Sequence, residues 1–491
     1  MLFLYALARP VLSDSPSATL PSLRAPIPDH NVSAECDDFH YCRTLTNVVW
    51  SCWSVVFIST WVSIHPNVPK YGEHPAVVVM KNGITMFMAL IAPELIVLWS
   101  MRQWFSARKI AKQFKKYHWG MTHAFFVLMG GFALYDGDEF LFFLWEDWNK
   151  TPGAGQDRRI MEEIAATGRG HKTADDPQDS NVSHSGQSYS CLLEFLLDND
   201  FIKLTEAEIQ DRSHADALTK GIALIQTTWF ILQCIARAIQ GLTVTELEII
   251  TMAFALLNFI VYFLWWNKPL RVRYPVRVTH RASPPSKAAA PRSPNVQMSA
   301  CAAIIASIRS NFDNTCRNFP LPRVVTFLLW PLLSLLTKFN RMLVGQNMDD
   351  AGNPFSSRLA KDPVRMYAAC YSIAVGFGAL HCIGWSFHFL SEAERLQWQI
   401  LSLMVTFLPV VLGVVHLSVT HRNAIAAFLE DWPKWFAKLL SAIVVLSILL
   451  LAITYIVARV WLIVLALMAL RELPNGAYKT PQWTTFIPHV G

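Results

Sequence analysis

Between Thr219 and Leu270 two apolar stretches carry polar side chains at helical spacing. On the first, Gln226, Trp229, Gln233, Arg237 and Gln240 recur every three or four residues, which puts them on one stripe of a helix. On the second, Glu248, Thr251, Asn258, Tyr262 and Trp265 fall within an arc of about 100 degrees. In hydrocarbon such groups are costly unless they face a partner or a wet cavity. One chemistry they allow is acid catalysis. Glu246 and Glu248, kept protonated by an apolar site, would donate a proton, and Trp229, Trp265, Trp266 and Tyr262 would stabilise a cationic intermediate with their ring faces. The alternative is structural: Arg237, at the end of one helix, pairs with Glu246 or Glu248 at the start of the next and locks a hairpin. A cap from Thr243 or Thr245 on the second helix favours that alternative. The short turn 240–245 makes the helices antiparallel neighbours, so the two stripes are expected to face each other.

Further along, Glu94 follows Pro93 in GITMFMALIAPELIVLW, where the proline frees backbone carbonyls beside a carboxyl. That carboxyl would bind a cation, exchange a proton or hydrogen-bond a neighbouring helix. Tyr371, Gly378, His381, Trp385 and His388 share another helical face. His381 and His388 are seven residues apart, two turns along the helix, which is poor spacing for one metal ion. They read as interfacial or packing histidines, and no metal is expected. The chain also lacks a Walker loop, a dinucleotide fingerprint, HExxH, a DDxxD box and the histidine boxes of di-iron desaturases, so no cofactor is expected.

The elements that position these groups belong to a membrane protein. At 491 residues the chain is 53% hydrophobic and only 16% charged, with a mean hydropathy of +0.30, too apolar for an ordinary soluble protein. Its 18 Trp and 30 Phe suit aromatic belts at two interfaces as well as an aromatic-lined pocket. The expected fold class is an all-α integral membrane protein with about eight transmembrane helices: 45–63, 83–100, 219–240, 245–266, 321–338, 366–388, 397–419 and 435–457. A second apolar stretch, Val460 to Leu470, follows the last, so a bend is expected near Ala458. A small α+β extramembrane domain is expected between the second and third spans. There the Gly130-Gly131 pair and the Asp136-Gly137-Asp138 turn predict two short strands in a hairpin. Thr205 and Glu208 form a capping box that starts a helix.

The domain reading follows. Residues 1–44 form an N-terminal segment with a weakly signal-like start, and 45–100 hold two spans. Residues 101–218 hold a basic helix and the small domain with a flexible loop at 150–187, and 219–268 form the hairpin. A basic, Pro-rich linker covers 269–320, a C-terminal bundle 321–470 and a tail 471–491. Cys36, Cys42 and the sequon at Asn31 suggest a lumenal N-terminus. Two spans later this puts the cluster Arg102 to Lys116 outside, against the positive-inside tendency. Other basic clusters lie at Lys268 to Arg292 and around Arg317 and Arg323. They mark cytosolic flanks or anionic lipid, and no soluble basic face points to nucleic acid. Sequons at Asn149 and Asn181 do not settle the topology, because with 18 Asn about two matches are expected by chance.

Several runs resemble a large family of fungal polytopic membrane proteins: CRT at 42–44, TWVSIHPNVP at 60–69, APEL at 92–95 and MRQW at 101–104. EIQDRS at 208–213, QTTWFILQCIAR at 226–237, TELEI at 245–249 and WWNKPL at 265–270 are similar too, as are GALHCIGWSFHF at 378–389 and IPH at 487–489. The resemblance implies a shared fold and carries no activity. From the residues, the leading expectation is a membrane-embedded enzyme, or an accessory to one, acting on a lipophilic small molecule such as a terpenoid or other secondary metabolite. Glu94, Glu246, Glu248 and Arg237 are its candidate catalytic groups. Gln226, Trp229, Gln233, Asn258, Tyr262, Trp265, His381 and Trp385 are its candidate binding groups. The alternatives are a channel or transporter lined by the two stripes, and a membrane sensor or scaffold whose 118–218 domain binds a cytosolic partner. The lipid bilayer of the endoplasmic reticulum or plasma membrane is the expected surrounding, with homo-oligomerisation open.

Overall fold

The computed structural model describes residues 42–136, 139–144, 189, 191–213, 217–281, 298–319, 322–344, 363–420 and 434–482. The signal-like start, Cys36, the three sequons, the loop 150–187, the Pro-rich stretch and the closing IPH lie outside these residues.

Helix α1 (Leu45–Phe57) starts on Thr44, whose hydroxyl accepts from the Asn47 amide, and continues through a π turn, Ile58–Val62. Helices α2 (Pro75–Ile91) and α3 (Pro93–Gln113) meet at Ala92 with a bend of 113°. Pro93 offers no N–H and disfavours a helical backbone at Ala92, and the chain breaks there. After α4 (Met121–Leu128), the strands β1 (Phe132–Asp136) and β2 (Glu139–Phe143) form an antiparallel hairpin. The short helices α5 (Leu192–Asp198) and α6 (Glu206–Asp211), the latter opening on the Thr205/Glu208 capping box, lead to α7 (Ala217–Ile239) and α8 (Glu246–Trp265). β3 (Val276–Arg281) then adds parallel to β1, completing the order β2-β1-β3. Helices α9 (Ala300–Asn318), α10 (Arg323–Val344), α11 (Val364–His381), α12 (Glu392–Thr420) and α13 (Lys434–Ala469) complete the chain, with a 3-10 turn, Cys382–Ser386, extending α11.

Among the described residues six helical stretches are long and apolar enough to cross a membrane: Leu45–Val62, Thr219–Ile239, Glu246–Trp265, Val364–Ser386, Glu392–His416 and Leu446–Ala469. The bent pairs α2/α3 and α9/α10 raise the number to eight if each is one span. Three sequence expectations change here. The expected span 83–100 is broken at Ala92 into two helices, and 321–338 falls in α10, which meets the length and apolarity for crossing only together with α9. The bend expected near Ala458 is absent, because Arg459 turns inward instead of interrupting α13.

The connections gather at two ends of the bundle. At one, the Val68 amide donates to Met129 O at 2.8 Å, Lys220 Nζ donates to Trp266 O at 2.9 Å, and β3 pairs with β1. At the other, the Arg43 amide donates to Tyr478 O at 2.7 Å, and Gln240 exchanges two hydrogen bonds with Gln482. The pair α2/α3 therefore leaves from and returns to the same end. α8 is the most enclosed of the six long apolar helices, with 72% of its apolar window buried.

Candidate functional site

The α7–α8 turn holds the expected acids in a different arrangement. TELE has the spacing of a capping box: Thr245 Oγ1 accepts from the Glu248 amide at 3.2 Å, and Glu248 Oε2 accepts from the Thr245 amide at 2.9 Å and its hydroxyl at 3.0 Å. Arg43 takes the rest of the carboxylate as a bidentate pair, Nη1 to Oε1 at 2.5 Å and Nη2 to Oε2 at 3.1 Å. Glu248 is thus a bound structural anion with no proton to donate. Arg237 lies near it without pairing. Its guanidinium donates to the carbonyls of Thr243 (2.6 Å), Gly476 (2.9 Å), Ala477 (3.2 Å) and Lys479 (2.5 Å). Glu246 is buried and makes no ion pair among the described residues. The partner that the sequence analysis missed, Arg43, stands 205 residues from Glu248, and only its place in the CRT run drew notice. Cys42, beside it, is disulfide-bonded.

Glu94 sits at the tip of the α2/α3 bend, buried, with Oε2 lacking a hydrogen-bond partner among the described residues. The carbonyls freed at the break are taken by Arg459 of α13: Nε donates to Ile91 O at 3.2 Å and Nη2 to Leu90 O at 3.5 Å. The guanidinium also lies 4.1 Å from the Phe377 ring centre and 5.7 Å from that of Phe254. Tyr455, one turn earlier on α13, neighbours Glu94. His381 and Trp385 serve packing on the next helix. His381 Nδ1 bonds Phe377 O at 2.9 Å, its carbonyl accepts from Trp398 Nε1 at 3.1 Å, and Trp385 O accepts from Gln399 at 3.1 Å. Among the described residues no three His, Cys, Asp or Glu side chains are placed to hold a metal ion.

Tyr262 meets the His65 ring edge-on, 6.3 Å between ring centres, and Trp265 packs against a cation that the sequence analysis read only as a cytosolic flank. Lys268 is 1% exposed, and its Nζ donates to His65 O, to Asn67 Oδ1 at 2.9 Å and to Gln103 Oε1 at 2.8 Å, three acceptors for three protons. Its ammonium lies 5.2 Å from the Trp99 ring centre and 4.9 Å from that of Trp265. Burial pushes the Lys268 pKa down, while the acceptors and ring faces favour the ammonium. His65 bonds Ser63 O through Nδ1 at 2.7 Å, and its Nε2 has no partner among the described residues. Burial, and then the charges of Lys220, Lys268 and Arg271, hold His65 well below the usual histidine pKa. The WWNKPL, SIHPN and MRQW runs therefore converge on one closed polar network.

The remaining candidates line an open groove. Gln226, Trp229 and Gln233 of α7 face Asn47, Trp50 and Ser54 of α1 across about 470 Å³. Gln226 Nε2 donates to Ser54 Oγ at 2.9 Å, and the Gln233 amide has no partner among the described residues. Trp50 and Trp229 stay 69% and 48% exposed, so the groove opens sideways from the bundle. The glutamine stripe thus faces α1 and the C-terminal tail instead of α8. Asn258 of α8 reaches α7 through Thr227, outside the stripe, at 3.3 Å.

Residues 181–306 and 356–490, more than half of the chain, match the profile of a family of unknown function (DUF8562), and the chain belongs to that family. No curated protein and no solved structure matches it.

Proposed function

We propose that this member of the DUF8562 family is a multi-pass membrane protein that binds a lipophilic small molecule in the lateral groove between α1 and α7. The groove itself carries the reading. Its volume of about 470 Å³ suits a ligand of terpenoid or similar size, two exposed indoles and Ile222 and Ile225 supply apolar contact, and Gln226 and Gln233 supply amide groups for an oxygen function. An amide left without a partner at membrane depth is costly, and a polar group on the ligand would satisfy it. Binding is favoured over turnover, since Glu248 is bound to Arg43 and Glu94 does not line the groove. A channel gains no support from α8, which is enclosed by its neighbours.

The same reading assigns a topology with six crossings. Cys42, in a disulfide, marks the end that faces an oxidising compartment. The opposite end collects Arg108 to Lys116, Arg271, Arg273 and Arg277. With α2/α3 as a re-entrant pair, the lumenal N-terminus and the positive-inside tendency agree.

The test is photolabelling of the protein in nanodiscs with a diazirine-bearing prenyl alcohol. Label should concentrate on α1 and α7 peptides and fall at least about tenfold in Trp229→Ala with Gln233→Leu, a loss of about 1.4 kcal/mol or more. Uniform labelling over all lipid-facing helices, unchanged in the variant, would remove the proposal.

A further inference from the structure

A second cleft lies where α1 ends against α2, walled by Trp61, Ile64 and Pro66 and reached by Asn82, Thr85 and Arg271. Its interior is only about 10 Å³, room for one water, so a larger group would sit at its open mouth. Arg271 has a left-handed backbone, φ 56°, uncommon for a residue with a side chain. That conformation lays the guanidinium 5.0 Å from the Trp61 ring centre, where Nη2 donates to Trp61 O at 3.3 Å. Its other N–H groups and the Asn82 amide have no partner among the described residues.

The electrostatics around the cleft are one-sided. Lys220, Lys268 and Arg271 all act on His65, and none of the three has a carboxylate within 4 Å among the described residues. Lys220 and Lys268 spend their protons on carbonyl and amide oxygens deep in the fold. The carboxylate at the start of α2, Glu73, is paired with Lys81. Of these cations Arg271 alone lines the cleft, where its donors join the Asn82 amide. Among the described residues no carboxylate neutralises Arg271, and a planar guanidinium beside an amide suits a tetrahedral oxyanion.

We infer that Arg271 and Asn82 bind a phosphate group at the mouth of this cleft. Its position favours an acidic phospholipid as the source: Trp61 closes the apolar stretch Leu45–Val62, and Phe57, stacked on Trp61 at 6.2 Å, extends the apolar surface one turn toward the centre of the span. Free inorganic phosphate has the same chemistry, and the experiment separates the two. The lipid source rests on the membrane reading above, whereas the phosphate site itself does not.

The decisive variant is Arg271→Gly. Glycine accepts the left-handed backbone without strain, so this change removes the guanidinium while favouring the native turn. Delipidated wild type, Arg271→Gly and Arg271→Lys are offered phosphatidylserine and phosphatidylcholine in equal amounts, and retained lipid is counted by native mass spectrometry. Wild type should retain the acidic lipid by about tenfold over the zwitterionic one, Arg271→Gly should retain both equally, and Arg271→Lys should fall between. Trp229→Ala with Gln233→Leu, which alters the lateral groove, should leave this preference unchanged, so loss of either site is recognised separately. If inorganic phosphate alone raises the melting temperature of wild type but not of Arg271→Gly, and displaces the lipid, the site stands with free phosphate as its ligand. A folded Arg271→Gly that keeps the wild-type preference, with no response of wild type to phosphate, overturns the inference.

Discussion

The buried cations of this protein are held mainly by carbonyls. Arg102 donates to the Met342 and Leu343 carbonyls and to the Tyr367 hydroxyl at 2.9 Å, Lys220 covers the end of α8, and Arg237 and Arg459 do the same for a turn and a helix break. Helix ends leave carbonyls unpaired, and where water is scarce a guanidinium can satisfy several at once. Part-buried Arg43 donates to the Ala477 carbonyl and also pairs with a carboxylate, and this sets a residue-scale prediction. Arg43→Met leaves the Glu248 carboxylate buried and unpaired and should lower stability by about 3–5 kcal/mol, with strong coupling in the Arg43/Glu248 double-mutant cycle. The Arg237/Glu248 cycle, measured the same way by thermal unfolding, should show weaker coupling. His65 supplies a pH prediction. Its pKa is lowered in the fold, so below pH of about 6.5 the unfolded chain takes up a proton that the native one refuses. Stability contributed by neutral His65 is full above that pH and falls on acidification by up to about 1.4 kcal/mol per pH unit. Denaturation midpoints of His65→Gln between pH 7 and 5 should fall less steeply than those of wild type, by about one proton.

At the scale of the elements, close helix approach decides which positions tolerate a side chain. A Cβ on Gly378 would lie 2.6 Å from Thr406 Cα, so α11 and α12 touch backbone to backbone there. A Cβ on Gly376, two residues earlier, meets nothing within 4 Å. Gly378→Ala should therefore destabilise the protein by about 1–3 kcal/mol, while Gly376→Ala should be neutral or stabilise by up to about 1. Melting temperatures of both variants in one detergent provide the check. Inward-turning Arg459 explains why α13 runs unbroken past Ala458 to Ala469, 36 residues in all: a charge that meets the α2/α3 carbonyls has no reason to break its own helix.

For the whole molecule, the bent pair α2/α3 decides the arrangement of ends, and the proposed topology makes it re-entrant. Residues 68 and 129 are hydrogen-bonded, so whatever lies between them begins and ends on one side. Single cysteines introduced at Lys116 and Arg273 should share accessibility to an impermeant maleimide in sealed vesicles, and one at Lys479 should show the opposite. Matching accessibility at Lys116 and Lys479 would mean that α2/α3 crosses the membrane.

Apolar length and local spacing were readable without any tertiary contact. The hydrophobic runs, the Thr205/Glu208 box, the cap at Thr245 and the β1–β2 hairpin depend on neighbours a few residues away, and their periods and turn residues are written locally. What each polar side chain meets was not readable, because its partner sits far along the chain. Glu248 is matched to Arg43 instead of Arg237, the Gln226 stripe faces α1 instead of α8, and β3 joins β1 from beyond two long helices. Lys268, Gln103 and His65 look unrelated at positions 268, 103 and 65, and only the fold brings them together. Helical periodicity states which residues share a face, while the packing of all the helices chooses what that face touches.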